Sequence, residues 1–219
     1  LCFPNGTFKR THSNRFNDFD LQVVNLCKKF KDNPEIKVLD LGVSDATTSV
    51  DLWSTLVDNI SSRVNYLATD KYVDVEIRKH SEKPLQFTVD SDNQIVQVLY
   101  GKYVLNNFKQ EFWLRYPVNK FLFKFVVPRL ISRYNSGKGD KFISEKVRII
   151  GQKAQEAEDS SQGFTVSECD LFNPPPGKYH LVRAMNVLNP SHFSEESLIE
   201  AFICLHSTVK LGGFLVVGF

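Results

Sequence analysis

Apolar positions along the chain follow two periods. A helix is predicted to begin at Asn17 or Asp18, with Phe19, Val23, Leu26, Cys27 and Phe30 on one side, and Asp32-Asn33-Pro34 ends it. Ile36–Leu41 is short, β-branched-rich and bounded by turn residues, as a central parallel strand should be. From Thr47 or Thr48 the spacing of Val50, Trp53, Leu56, Val57 and Ile60 predicts an amphipathic helix. Further strands are predicted at Arg63–Asp70, Phe164–Asp170, Tyr179–Leu188 and Gly213–Phe219. A helix capped by Ser194 is predicted before the last of these. Glu195 and Glu196 suit its positive end, Leu198, Phe202, Leu205 and Val209 form its stripe, and Lys210 and Gly212 close it.

Strands alternating with helices at this spacing predict an α/β protein with a Rossmann-like, mostly parallel sheet and helices on both faces. About 90 residues separate Asp70 from Phe164, far more than a crossover helix needs. We therefore expect one domain, with a core formed by 17–70 and 151–219 and an insertion over 71–150. The insertion opens with a predicted hairpin, Leu85–Asp90 and Ile95–Tyr100 around Ser91-Asp92-Asn93-Gln94. Its second part, Phe112–Tyr134, is rich in aromatic residues. There Val118, Phe121, Leu122, Phe125 and Val126 are predicted to share a helical face, Lys120, Lys124, Arg129 and Arg133 supply charge, and Pro128 argues against one unbroken helix. Such a segment packs the insertion, closes as a lid, grips an acidic partner or lies on an anionic membrane as a peripheral contact.

Composition narrows the classes. At 219 residues with 42% hydrophobic content the chain can bury one sizeable core. A formal charge of +2 is too small for a dedicated nucleic-acid binder. Cys2, Cys27, Cys169 and Cys204 are scattered without a C-x-x-C pair, so reduced thiols and an intracellular, cytoplasmic protein are expected. The five histidines, at 12, 80, 180, 192 and 206, show no ligand spacing, so no metal site is expected. No run reaches the roughly 18 uncharged apolar residues of a membrane span. Leu1 in place of Met, and an apolar run at Phe219, read as a chain trimmed at both ends.

The candidate chemistry lies in Val38-Leu39-Asp40-Leu41-Gly42-Val43-Ser44-Asp45-Ala46-Thr47, a turn between strand and helix. Small residues in the first βα turn of an open sheet let a ligand approach the backbone, and Gly42, Ser44 and Ala46 are such residues. Glycine there also serves simply to close a turn. Asp70 ends the next strand, where a carboxylate can accept from both hydroxyls of a ribose, and Asp170 ends the third, so three strands carry a carboxylate to one edge. Asn186, late in the fourth strand, is a candidate substrate contact or a turn former.

These segments resemble the class I S-adenosylmethionine-dependent methyltransferases. VLDLGVSDATTS is similar to their glycine-rich first motif, Thr69-Asp70 to the second, CDLF at 169–172 to the third, YHLVRAMNVLN to the fourth, and LHSTVKLGGFLVVGF to the fifth. RAMNVLN followed by the Phe-Ser-Glu-Glu helix resembles chemotaxis-receptor methyltransferases and, given the long insertion, more nearly bacterial methyltransferase-like proteins of unassigned substrate. The resemblance implies S-adenosylmethionine as cofactor, with Asp40 and the backbone of Gly42, Val43 and Ser44 at the methionine moiety, Asp70 at the ribose, and Asp170 with Leu171 at the adenine. It leaves the methyl acceptor open. Departures are Ser44 and Ala46 where the motif has glycine, His180 where the fourth motif commonly begins with an acid, and a stop after the fifth strand, so that the usual closing antiparallel pair either lies beyond Phe219 or is missing. Asn173-Pro174-Pro175-Pro176 is similar to the N-P-P-[YF] motif of amino-group methyltransferases. It follows the third strand rather than the fourth and lacks the aromatic residue, so it reads as a stiffened loop. Two other functions are weighed: a methyltransferase-like binding module without turnover, and a membrane-peripheral protein acting through 112–134.

Overall fold

The computed structural model describes residues 11–107, 117–135, 142–160, 163–190 and 193–218. Cys2, His192, Phe219, the opening 112–116 of the aromatic segment, and the side chains of Arg133 and Tyr134 lie outside that description. The chain divides into two compact units, one of Arg10–Val73 with Ile150–Phe219 and one containing Asp74–Ile149.

The first unit holds α1 (Asn17–Cys27), β1 (Glu35–Leu41), α2 (Thr47–Asn59) and β2 (Arg63–Asp70). The second unit then contributes β3 (Asp74–His80), β4 (Leu85–Val89), β5 (Ile95–Tyr100), β6 (Tyr103–Asn106), α3 (Pro117–Phe121), α4 (Val127–Asn135) and β7 (Phe142–Arg148). The chain returns to the first unit with α5 (Gln152–Ser160), β8 (Phe164–Glu168), β9 (Tyr179–Met185), α6 (Glu195–Thr208) and β10 (Val209–Gly218).

In the first unit the strands lie in the order β10-β9-β1-β2-β8, and each pairing is parallel. Counted along the unit and read from the β8 edge, that is 3-2-1-4-5, with the order reversing between β1 and β9. Period-two alternation sorts the strand residues onto two faces. Ile36, Val38, Val64, Tyr66 and Leu181 pack with Val23, Cys27, Val50, Leu56 and Ala154 from α1, α2 and α5. Leu39, Leu41, Val182 and Ala184 pack with Ala201 and Leu205 of α6. Helices thus cover both faces, as the pattern predicts.

β8 and β9 stop short of their predicted ends, at Glu168 and Met185, and the end of α6, the start of β10 and the buried stripe of α6 also differ from the prediction. α6 stops at Thr208, and Val209 is already a strand residue paired with Tyr179, so it is not part of the helical stripe. The register then shifts before Phe214, a bulge that contains Gly212 at φ +74°. Phe202 is 37% exposed, and Ala201 takes the buried place predicted for it.

The second unit is more than a hairpin with a helix. Its β4–β5 hairpin, present as predicted, belongs to a five-stranded antiparallel sheet ordered β6-β5-β4-β3-β7. Helical structure is continuous from Pro117 to Asn135, with a π segment at Leu122–Val126 between α3 and α4. Pro128 does not interrupt it, because a wider turn just before a proline relieves the ring's clash with the preceding carbonyl. Of the residues predicted to share a face, Leu122 and Val126 are half-buried. Val127, with Phe123 and Ile131, packs on Leu85, Phe87 and Val98 of the sheet, whereas Val118, Phe121 and Phe125 face outward.

Candidate functional site

The turn between β1 and α2 forms around three residues with left-handed backbone: Gly42 at φ +68°, Ser44 at +58° and Ala46 at +61°. These are the alternate positions at which the sequence shows small residues. Only Gly42 adopts such a conformation without a Cβ penalty. A Cβ at 42 would also lie 2.5 Å from Cγ2 of Val187, so the close approach that glycine permits is used by the residue just past β9. The turn is tied to the end of β2, because the Gly42 and Val43 amides both donate to the Thr69 carbonyl, at 2.8 and 3.2 Å.

Asp70 joins the same construction. Its carboxylate accepts from the Ser44 amide at 2.7 Å and from the Tyr72 amide at 3.1 Å, while its carbonyl accepts from the Cys169 amide at 3.0 Å. The ends of β1, β2 and β8 are thereby stitched into one edge. Asp170 lies two residues beyond β8. It is nearly half exposed, accepts from the Phe172 amide at 3.0 Å and stands 3.7 Å from Lys71 Nζ. Leu171 turns inward and packs with the α6-side core. Asn186 is exposed at φ +55°, and its amide donates to the Gly218 carbonyl at 2.8 Å, which places it at the same edge on the β9 side. Asp45 holds the neighbouring chain, accepting from the amides of Thr47 at 3.1 Å and Thr11 at 2.8 Å.

Asp40 is placed differently from its neighbours in the motif. Alternation puts it on the α1/α2 face with Ile36 and Val38, where it is 1% exposed. Its carboxylate accepts from Ser49 Oγ at 2.7 Å, Tyr66 Oη at 2.7 Å and Arg183 Nε at 3.2 Å. Arg183 is its direct partner in the β1–β9 ladder and also reaches Asp20 of α1 at 3.1 Å. Burial pushes the Asp20 carboxyl up to about 6 against the pull of Arg183, and Asp40 and Asp51 add to the rise. Burial works to lower the Arg183 guanidinium, but Asp40, Tyr66 and Asp20 hold it above its ordinary value. Arg183 and Asp20 escaped the sequence reading. The signal was an arginine inside an otherwise apolar strand and an aspartate on the apolar side of a helix.

Two further features sit away from this edge. His180 belongs to the opposite end of β9, where its Nδ1 accepts from the Lys37 amide at 3.0 Å. A shallow depression of about 470 Å³ lined by Trp53, Ile60, Arg63, Val64 and Gly163 lies at the start of β2, the far end from Asp70. No group of three or more metal-ligating side chains occurs among the described residues.

The strand order and the position of the turn define an open α/β sheet with its switch point between β1 and β9, the place where such sheets receive ligands. No family model matches the chain, and no curated protein does. Among solved structures it resembles the sugar N-methyltransferase KedS8 from Streptoalloteichus sp., with 9% identity and a TM-score of 0.40 over 96% of this chain. The chain spans 56% of the length of that protein.

Proposed function

We propose that the chain is an S-adenosylmethionine-dependent methyltransferase whose cofactor lies along the edge formed by Gly42–Ser44, Asp70 and Asp170. The observation that carries this reading is the 2.7 Å bond from the Ser44 amide to Asp70. It fixes a carboxylate, the acceptor that paired ribose hydroxyls require, beside the small-residue turn at the switch point of the sheet.

The residues fit the group in part. Asp70 is half-buried and oriented by two backbone amides, as a ribose contact should be. Asp40 is committed to Arg183, Tyr66 and Ser49, so the methionine end is met by the backbone of the turn, and Asp40 ties β1 to α2, β2 and β9. Leu171, facing the α6-side core, leaves Asp170 as the side chain at the adenine end. The bound group supplies an electrophilic methyl on a sulfonium. The protein's part is to place it against an acceptor, which requires positioning more than acid–base chemistry. Asn186, exposed on the other side of the switch point, is the residue best placed to meet that acceptor.

Calorimetry with S-adenosylmethionine and its demethylated product tests the reading. Both should bind, and Asp70→Asn, which keeps the shape but removes the charge, should weaken binding on the order of tenfold or more, about 1.4 kcal/mol or above. Absence of binding by the folded chain sinks it. A binding module without turnover is the second reading, favoured by the Cβ atoms of Ser44 and Ala46 in the turn. It predicts binding of both compounds and no methyl incorporation into any acceptor.

A further inference from the structure

The helical stretch of the second unit is apolar on two opposite sides. Phe123, Val127 and Ile131 recur every four residues and pack on the sheet. Val118, Phe121 and Phe125 fall on the other side at the i, i+3, i+7 spacing of a helical stripe, and they are 70%, 58% and 42% exposed. A helix that uses one apolar face for packing has no internal need of a second. Singly exposed apolar residues are ordinary, but an aligned stripe on an ordered element marks a contact surface.

Charge says what kind. From Phe112 to Gly139 the sequence has six Lys and Arg residues and no Asp or Glu. Within the described helix, Lys124 is exposed and lies over the Phe125 ring at 5.5 Å, and Arg129 is exposed with its guanidinium donating to the Phe125 carbonyl at 2.6 Å. Phe121 and Phe125 stand with ring centroids 5.2 Å apart, so aromatic rings and cations form one patch. The patch is also held in place. Asn119 accepts from the Asn106 amide at 3.1 Å and donates to its carbonyl at 2.6 Å, pinning the start of the helix to β6.

We propose that this face, centred on Val118, Phe121, Phe125, Lys124 and Arg129, docks on an anionic lipid surface, with the apolar stripe in the headgroup–acyl boundary and the cations on the phosphates. A stripe along the outer side of a helix is convex, which suits a surface that yields around it rather than a peptide that needs a groove. No described helix is long and apolar enough to cross a membrane, so the contact lies in the interface plane. The proposal is independent of the methyl-transfer reading.

The test is co-sedimentation of the full chain with phosphatidylcholine vesicles, with and without phosphatidylserine, at low and high salt. Binding to the phosphatidylserine vesicles that weakens as salt rises is expected. Phe121→Glu with Phe125→Glu should reduce it on the order of tenfold. Lys124→Gln with Arg129→Gln leaves the stripe intact and should abolish the preference for anionic vesicles, and circular dichroism confirms that both double variants fold. Indifference of the wild type to anionic vesicles overturns the proposal, as does binding that both double variants retain. Dimerisation of the wild type that Phe121→Glu with Phe125→Glu abolishes, seen by light scattering, would give the face to a second copy of the chain. Binding to polyglutamate without binding to vesicles would give it to an acidic protein, and either result overturns the proposal.

Discussion

Arg183 is 1% exposed and lies between two carboxylates, Asp40 at 3.2 Å and Asp20 at 3.1 Å, with Tyr66 and Ser49 completing the acceptor side of Asp40. One guanidinium cannot neutralise two buried carboxylates, and the strain shows at Asp20, whose carboxyl burial raises to about 6. An acid whose pKa is raised on folding contributes stability while it is protonated, below its unfolded value near 3.8, and loses it as pH rises through about 6. Asp20→Asn stays neutral at every pH. The difference in unfolding free energy between Asp20→Asn and wild type should therefore move in favour of the variant by on the order of 2 kcal/mol between pH 4 and pH 7. Urea unfolding at a series of pH values measures it, and a pH-independent difference would contradict the assignment. Asp40 was legible in the motif, and its place at a ligand came only from family resemblance. Its bond to Arg183 spans 143 positions to β9, and pairings at that separation carry no local pattern.

At the scale of elements, the β1–α2 turn combines necessity with tolerated cost. Gly42 must be glycine twice over, for its φ of +68° and for the contact with Val187, whereas Ser44 and Ala46 hold left-handed conformations that a Cβ opposes. Gly42→Ala should destabilise by about 2–3 kcal/mol, since strain and overlap add. Ala46→Gly should be close to neutral, because relief of the left-handed penalty is offset by the entropy of an added glycine and by loss of a methyl fully buried in the core. Thermal unfolding should show a clear loss for Gly42→Ala and little change for Ala46→Gly, and equal losses in both would refute the account. β1, β2 and β9 were legible because short β-branched runs between turn residues can be little else in a chain of this pattern. β3, Asp-Val-Glu-Ile-Arg-Lys-His, and β7, Phe-Ile-Ser-Glu-Lys-Val-Arg, were not. They are charged, and β7 is an edge strand with four consecutive exposed residues, so no buried face writes itself into the sequence. The helix after Pro117 was legible as a helix, but its packed side, Phe123, Val127 and Ile131, was not, because the π segment at Leu122–Val126 shifts the phase of the residues that follow.

At the scale of the whole molecule, the interruption between Asp70 and Phe164 proved to be a compact unit with its own sheet and its own core, formed by Leu85, Phe87, Val89, Val98 and Val127. The sequence showed the length of the interruption and one hairpin of it. The remaining strands depend on neighbours that only the folded sheet supplies, because β7 pairs with β3 across the whole stretch between His80 and Phe142. That pairing has a consequence for the parallel unit. Asp74 is the direct ladder partner of Arg148, so the two crossings between the units leave one antiparallel rung, where paired Cα atoms are about 5 Å apart. The flanking residues Val73 and Ile150 are both buried in the parallel unit's core, together with Ile36, Val64 and Ala154. A chain in which a short Gly-Ser link joins Val73 to Ile150, omitting 74–149, should therefore close without strain. It should unfold in one cooperative thermal transition and keep the affinity of the full chain for S-adenosylmethionine, since Gly42–Ser44, Asp70 and Asp170 all belong to the retained unit. Cooperative unfolding with lost binding would instead show that the omitted unit supplies part of the site, and a chain without a cooperative transition would show that the parallel unit depends on it for folding.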